Sequence, residues 1–163
     1  ALRVAAPIED DLARLVARLN ALIFRGSSGR KYATFFFGRY TPSTGLLRYV
    51  NAGHNPPYVV TTSTLTEIGS TGRPIGLLPE SSYTEGTIEL PPGSTLFLYT
   101  DGLNEAADPD ETEFGNDRLR SLFLAQRDVP LTSIPSRVLD AVTSFERGAK
   151  PTDDKTIVVM RRA

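Results

Sequence analysis

The amino-acid sequence predicts an α+β fold, a largely antiparallel sheet with helices packed on it. Three observations predict it. A one-sided apolar pattern of helical period opens the chain, short strand-like runs separated by Gly- and Pro-rich turns follow, and two more helical patterns precede a last apolar strand. Strands and helices never alternate regularly, as parallel strands joined by crossover helices require. The 163 residues, 40% of them hydrophobic, can bury a sizeable core and match the size of one ordinary domain, expected to span residues 1–163.

From Asp10 to Phe24, Leu12, Leu15, Val16, Leu19, Leu22 and Ile23 recur at three- and four-residue spacing, so an amphipathic helix is expected there. "GSSG" at Gly26 to Gly29 breaks it, and "YATFFFGRY" begins an aromatic-rich strand. "TPSTG" at Thr41 to Gly45, with Pro early and Gly last, should return "LLRYVNA" as an antiparallel partner. "NPP" punctuates the chain at Asn55 to Pro57, and "YVVTTS" reads as the next strand. "STGRPIGLLPE" is too rich in Gly and Pro for a regular element and is expected to be a surface loop. "YTEGTIEL" alternates imperfectly, "PPG" turns the chain, and "STLFLYT" is apolar enough for a central strand. "AADPDETEFG" predicts an acidic loop, after which Asn116 is expected to cap a helix carrying Leu119, Leu122, Phe123 and Leu124. A further helix is expected with Ser133 as cap, Pro135 in the first turn and a stop at Gly148; "KTIVVMRR" closes the chain as a strand.

Composition excludes several chemistries. With 18 basic and 19 acidic side chains the formal charge is −1, no basis for a nucleic-acid or anionic-membrane partner. The lack of cysteine removes thiolate nucleophiles, disulfides and thiolate metal sites, and a single histidine, His54, removes polyhistidine metal sites. No apolar run reaches the roughly 18 residues of a membrane span, and "ALRVAAPIEDD" is unlike a signal peptide, so a cytoplasmic location is expected.

Two apolar strands carry a carboxylate at one end. "TLFLYTDGLNEA" stops at Asp101-Gly102, and "PTDDKTIVVM" places Asp153 and Asp154 ahead of its strand. Hard divalent cations prefer carboxylate, carbonyl and water oxygens, so acids gathered at strand ends can hold them. Two such ions about 4 Å apart can activate a water and stabilise a leaving oxygen without a nucleophilic side chain. Gly102 would let backbone approach a bound ion closely. Yet Asp-Gly also makes Asx turns, and paired acids also form solvated caps. Spacing alone does not choose. In "YVNAGHNPP", His54 suits a general acid or a hydrogen-bonded group fixing a turn, and the structural role is favoured. "GSTGRPIG" lacks the Lys-Ser/Thr pair of a phosphate-binding loop and is not read as a nucleotide site.

Taken in order, "ATFFFGRYTPSTGLLRYVNAGHNPPYVV", "GRPIGLLPE", "LPPGSTLFLYTDGLNEA", "FGNDRL" and "DDKTIVVM" resemble the metal-dependent type 2C (PPM) protein phosphatases, in the bacterial branch of sporulation phosphatase E (SpoIIE) and the stress-response phosphatase RsbU. The resemblance runs from Lys31 to Arg161. It implies an α-β-β-α sandwich of antiparallel sheets and Mn²⁺- or Mg²⁺-dependent hydrolysis of phosphoserine or phosphothreonine at a two-metal site. The implied substrate is a phosphorylated anti-sigma-factor antagonist in partner-switching signalling, with an N-terminal sensor or regulatory domain in the natural protein. Asp101 matches the metal-binding Asp of the "TDG" motif and Asp153 that of "DD-x-T", with Thr100, Gly102 and Asp154 flanking the site. His54, with Asn51 and Asn55, falls in the "NAGHNPP" motif in a structural or secondary role.

The family's first motifs, "GD-[FY]-x-D" and "D-[VI]-x-G-[HK]-G", do not occur, and the bridging Asp is among the residues they would supply. The acids Glu9 to Asp11 belong to a helix start and are poor substitutes. An N-terminally incomplete domain is therefore expected, with weak or absent turnover from these 163 residues alone. The competing expectation is a non-catalytic regulatory or interaction domain, in which the Asp10–Phe24 helix serves homodimerisation or pairs with a regulatory domain.

Overall fold

The computed structural model describes residues 6, 9–27, 29–150 and 153–163. Parts of three stretches read above, "ALRVAAPI", "GSSG" and "PTDD", therefore lie outside the described residues, at positions 1–5, 7–8, 28 and 151–152. The chain divides into two compact units, one made of residues 1–56 and 69–89, the other of 57–68 and 90–163.

In the first unit, helix α1 (Leu12–Ser27) begins where the carboxylate of Asp11 accepts the N–H of Arg14 at 2.9 Å, a side-chain cap for an otherwise orphaned donor. Leu12 and Val16 pack with Val50, Ala52, Ile75 and Tyr83, while Leu22, placed on the apolar face by its spacing, is 55% exposed at the rim of the stripe. Strands β1 (Phe35–Thr41) and β2 (Leu46–Ala52) form the expected hairpin, in register from Phe35 opposite Ala52 to Thr41 opposite Leu46. The N–H of Gly45 returns to Thr41 O at 2.8 Å with φ +74°, a conformation that costs glycine least. A later strand, Gly86–Glu89, pairs antiparallel with β2 on the side away from β1.

The loop expected on the surface between Ser70 and Glu80 has no strand of its own, but its middle is buried. Ile75 is 3% exposed and exchanges both backbone hydrogen bonds with Ala33. The cause is Asn20, wholly enclosed on α1: its amide accepts the N–H of Gly76 at 2.8 Å and donates to Leu78 O at 3.1 Å. A side chain supplies the pairing that a strand neighbour would otherwise give.

In the second unit, β3 (Tyr58–Val60), β4 (Leu65–Glu67), β6 (Thr95–Tyr99) and β7 (Ile157–Arg161) form an antiparallel sheet ordered β4-β3-β6-β7; Gly86–Glu89 of the other unit is β5. Strand β4 was not expected, because three residues with one apolar side chain carry no readable period. Strand β6 is interior, as "STLFLYT" predicts. Its Phe97 stacks on Phe123 with ring centroids 4.4 Å apart, and Tyr58, Tyr99, Leu119, Ile134, Val138 and Val142 complete the core. Each such large apolar group contributes roughly 1.5–3 kcal/mol by leaving water.

Helix α2 (Gly115–Leu124) departs from expectation at its start: Phe114, not Asn116, holds the cap position, with no side-chain cap. The chain enters through Gly115 at φ +80°, and the N–H groups of Phe114 and Gly115 are taken by Ala106 O and Asn104 O, leaving Asn116 inside the first turn. Helix α3 (Ile134–Glu146) has Pro135 in its first turn as expected; Ser133 occupies the cap position but its hydroxyl makes no cap bond, since it ends a short 3₁₀ turn, Leu131–Ser133. Arg147 and Gly148, both at positive φ, end α3 where the glycine signal places its end.

Candidate functional site

Antiparallel pairing of β6 with β7 sets Tyr99 opposite Ile157, so the two carboxylate-bearing ends adjoin. Beyond that pair the ladder continues through a side chain. Thr100 N–H donates to Thr156 O at 3.1 Å, Thr156 N–H donates to Thr100 Oγ1 at 2.9 Å, and the same hydroxyl donates to Asp154 O at 2.9 Å. Gly102 presses on this second arm: a Cβ there would stand 2.5 Å from Asp154 O and 3.0 Å from its carbonyl carbon, leaving no room for a side chain. Thr100, Gly102 and Asp154 thus join the segment carrying Asp101 to the one carrying Asp153.

Both aspartates are exposed, and each carboxylate bonds the N–H of the next residue instead of closing an Asx turn to the residue two along. Asp101 Oδ1 accepts the N–H of Gly102 at 3.1 Å, and Asp153 Oδ1 accepts the N–H of Asp154 at 2.7 Å. These local bonds do not exclude a ligand role, since each carboxylate keeps a second oxygen that bonds to none of the described residues. Hard carboxylate oxygens suit Mg²⁺ or Mn²⁺ in kind, and Mg²⁺ commonly takes one or two carboxylates with waters and substrate phosphate completing its shell. In number the set is small: among the described residues no three of His, Cys, Asp or Glu gather as a metal-binding group. The donors fit a divalent cation as part of a shell.

His54 belongs to the first unit. Asn51, wholly buried at the end of β2, accepts the N–H of His54 through Oδ1 at 2.8 Å, while its own N–H donates to Thr71 Oγ1 at 2.9 Å. Thr34 Oγ1 lies 3.2 Å from His54 Nδ1, within hydrogen-bond distance. Gly53 turns the chain at φ +70°, where a Cβ would strike the Pro74 ring at 2.7 Å, and Asn55 is half-buried one residue past the histidine.

Sequence reasoning missed two features near the carboxylates. Lys155 Nζ meets Glu146 Oε1 at 2.6 Å, both side chains largely buried. Asp108, read as part of an acidic loop, accepts the N–H groups of Asp110 and Thr112 and pairs with Arg147 at 2.8 Å. Partial burial works against its charged form, but those donors and the guanidinium outweigh it and hold its carboxyl below the ordinary Asp range. Neither Glu146 at a helix end nor Asp108 in a polar loop differs in one dimension from a solvated acid.

The profile of the Stage II sporulation protein E (SpoIIE) family matches residues 1–163, across both units. The chain belongs to that family. Among curated proteins, Protein IcfG of Synechocystis sp. is 32% identical over 132 residues, covering 80% of this chain and 21% of that protein. The fold matches that of the RsbU and RsbW domains of a Mycobacterium tuberculosis protein with TM-score 0.74 at 24% identity, over 99% of this chain and 45% of that one. It also matches the Mn-presoaked phosphatase domain of SpoIIE from Bacillus subtilis with TM-score 0.61 at 16% identity, over 78% of this chain and 56% of that one. The chain therefore spans about half of these solved structures and about a fifth of the curated relative. The SpoIIE/RsbU-like resemblance and the α+β class with antiparallel sheets both hold, and the family is one of phosphatases.

Proposed function

We propose that this SpoIIE-family domain takes part in metal-dependent hydrolysis of phosphoserine or phosphothreonine on a regulatory protein, with Asp101 and Asp153 as ligands to Mn²⁺ or Mg²⁺. The observation that carries the reading is the pair of exposed carboxylates on adjoining ends of β6 and β7, in a chain that matches the family throughout. When bound, a divalent cation at such a centre supplies charge neutralisation for a phosphoryl group and acidifies water. Asp101 and Asp153 supply the negative oxygens that would attract and orient the cation. Thr100 sets the spacing of their two arms through three hydrogen bonds, and Gly102 lets the arms approach. Asn51 and His54 serve a structural role in this reading, fixing the turn after β2.

An anti-sigma-factor antagonist as substrate belongs to the same proposal, supported by the likeness to a protein in which an RsbU domain accompanies an RsbW domain. So does a regulatory portion elsewhere in the natural protein, since IcfG carries much more than this domain. No described helix is long and apolar enough to cross a membrane. The second reading, a non-catalytic regulatory domain, is favoured by the small number of ligands gathered among the described residues.

Hydrolysis of p-nitrophenyl phosphate and of a phosphoserine protein by the natural full-length chain, with and without Mn²⁺, separates the two. The expected result is Mn²⁺-dependent turnover that Asp101→Asn with Asp153→Asn reduces by more than the roughly 10–100-fold typical of outer-shell changes. Unchanged turnover in that double variant would remove the ligand assignment, and absence of Mn²⁺ uptake by calorimetry would favour the regulatory reading.

A further inference from the structure

We infer that the largely buried ion pair of Lys155 and Glu146 positions the Asp153 arm, making both of them positioning residues for the site; the inference rests on the reading of Asp153 as a metal ligand. The segment from Asp153 to Thr156 precedes β7 and, among the described residues, has no ladder partner beyond the Thr100 bonds, which tie it to the β6 end. Lys155 ties it as well to the last residue of α3. Lysine ordinarily lets its ammonium reach water along a flexible stem. Here the side chains of Lys155 and Glu146 are only 14% and 6% exposed, with Nζ and Oε1 2.6 Å apart.

Stability alone is a poor account of this pair. Removing two charges from water costs so much that well-packed apolar side chains commonly hold a structure as firmly or better. Glu146 also stands at the C-terminal end of α3, where the helix dipole disfavours a negative charge, and no basic residue lies in that last turn. What a buried, charge-assisted hydrogen bond supplies is direction. Arg147 and Gly148 at positive φ end the helix immediately after Glu146, so the carboxylate is offered from a fixed place. Thr100 and Gly102 meet this segment from the β6 end and Glu146 meets it from α3, so the backbone beside Asp153 is held by two separate elements.

The deciding variant is Glu146→Leu with Lys155→Met, which removes the pair without stranding a charge. It is measured in the natural full-length chain by thermal unfolding, by amide hydrogen exchange at residues 154–156 without metal, and by calorimetric Mn²⁺ titration. The expected result is a thermal midpoint no lower than the parent's, faster exchange at 154–156 with β6 amides unchanged, and Mn²⁺ affinity reduced by roughly 10–100-fold. Lys155→Arg, which keeps the pair, should restore slow exchange and affinity, and it serves as the test if the apolar variant does not fold. Parent-like exchange, or parent-like affinity where Asp153→Asn abolishes Mn²⁺ binding, overturns the positioning role. Unchanged Mn²⁺ binding in Asp153→Asn overturns the ligand assignment instead, while the exchange experiment still judges the pair.

Discussion

In the unit built on β1, β2 and β5, polar side chains turn inward: Asn20 and Asn51 are enclosed and hydrogen-bonded to backbone, and Arg48 is clasped by Glu85 and Asp10. The unit built on β3, β4, β6 and β7 encloses polar groups too, Thr95 and Glu146 among them. Its centre is aromatic, with Phe123 against Phe97, Tyr58 and Tyr99, and burial pushes both tyrosine hydroxyls toward higher pKa. The carboxylates Asp101 and Asp153 stand outside that core with oxygens to spare. The difference teaches where binding capacity lies. Polar groups already satisfied by their own backbone fix shape, whereas carboxylates held at strand ends by their neighbours keep donors for a ligand.

The sharpest way to break this comparison is at the aromatic centre. Phe123→Ala should cost about 3–5 kcal/mol in chemical denaturation and loosen β6, removing the support of Asp101. If Mn²⁺ uptake survived that loss, the carboxylates would not depend on the core beneath them. Next in size, Gly102→Ala forces a methyl against Asp154 O and should destabilise by about 1–3 kcal/mol, separating the two arms and lowering Mn²⁺ affinity in calorimetry. Asn51→Ala is predicted to cost about 1–3 kcal/mol through the bond lost to the N–H of His54, yet to leave Mn²⁺ affinity unchanged if its role is the structural one proposed.

The smallest effect concerns Asp108. Its carboxyl is held below the ordinary Asp range, so its contribution is present above the unfolded pKa and is lost as pH falls through the folded one. An NMR titration of that carboxyl should therefore place its midpoint on the acid side of an ordinary Asp, and Arg147→Ala should move the midpoint up.

Much of this architecture was legible in the sequence because periodic apolar runs and Gly-Pro turns report local geometry. The α1 stripe, the Thr41–Gly45 hairpin and the interior character of β6 all follow from neighbours in the chain. The candidate carboxylates were legible for the same reason, Asp101 sitting where a strand stops and Asp153 ahead of one that starts. What escaped depends on distant partners. Asn20 resembles any polar helix residue until Gly76 and Leu78 come to it, and the buried middle of the Ser70–Glu80 loop follows from that contact. Glu146 resembles a solvated helix end until Lys155 arrives, and Asn116 loses the cap because Gly115 enters the helix from the left-handed region.

Thr100 and Asp154, joined through one hydroxyl, lie 54 residues apart in the chain. During synthesis, which proceeds from the N-terminus at about 5–20 residues per second, β6 emerges seconds before the strand that must lie beside it. Through that interval Asp101 has no partner arm. A nascent chain therefore carries its first carboxylate prong without the second, and the proposed joint hold on a cation has to wait until β7 has left the ribosome.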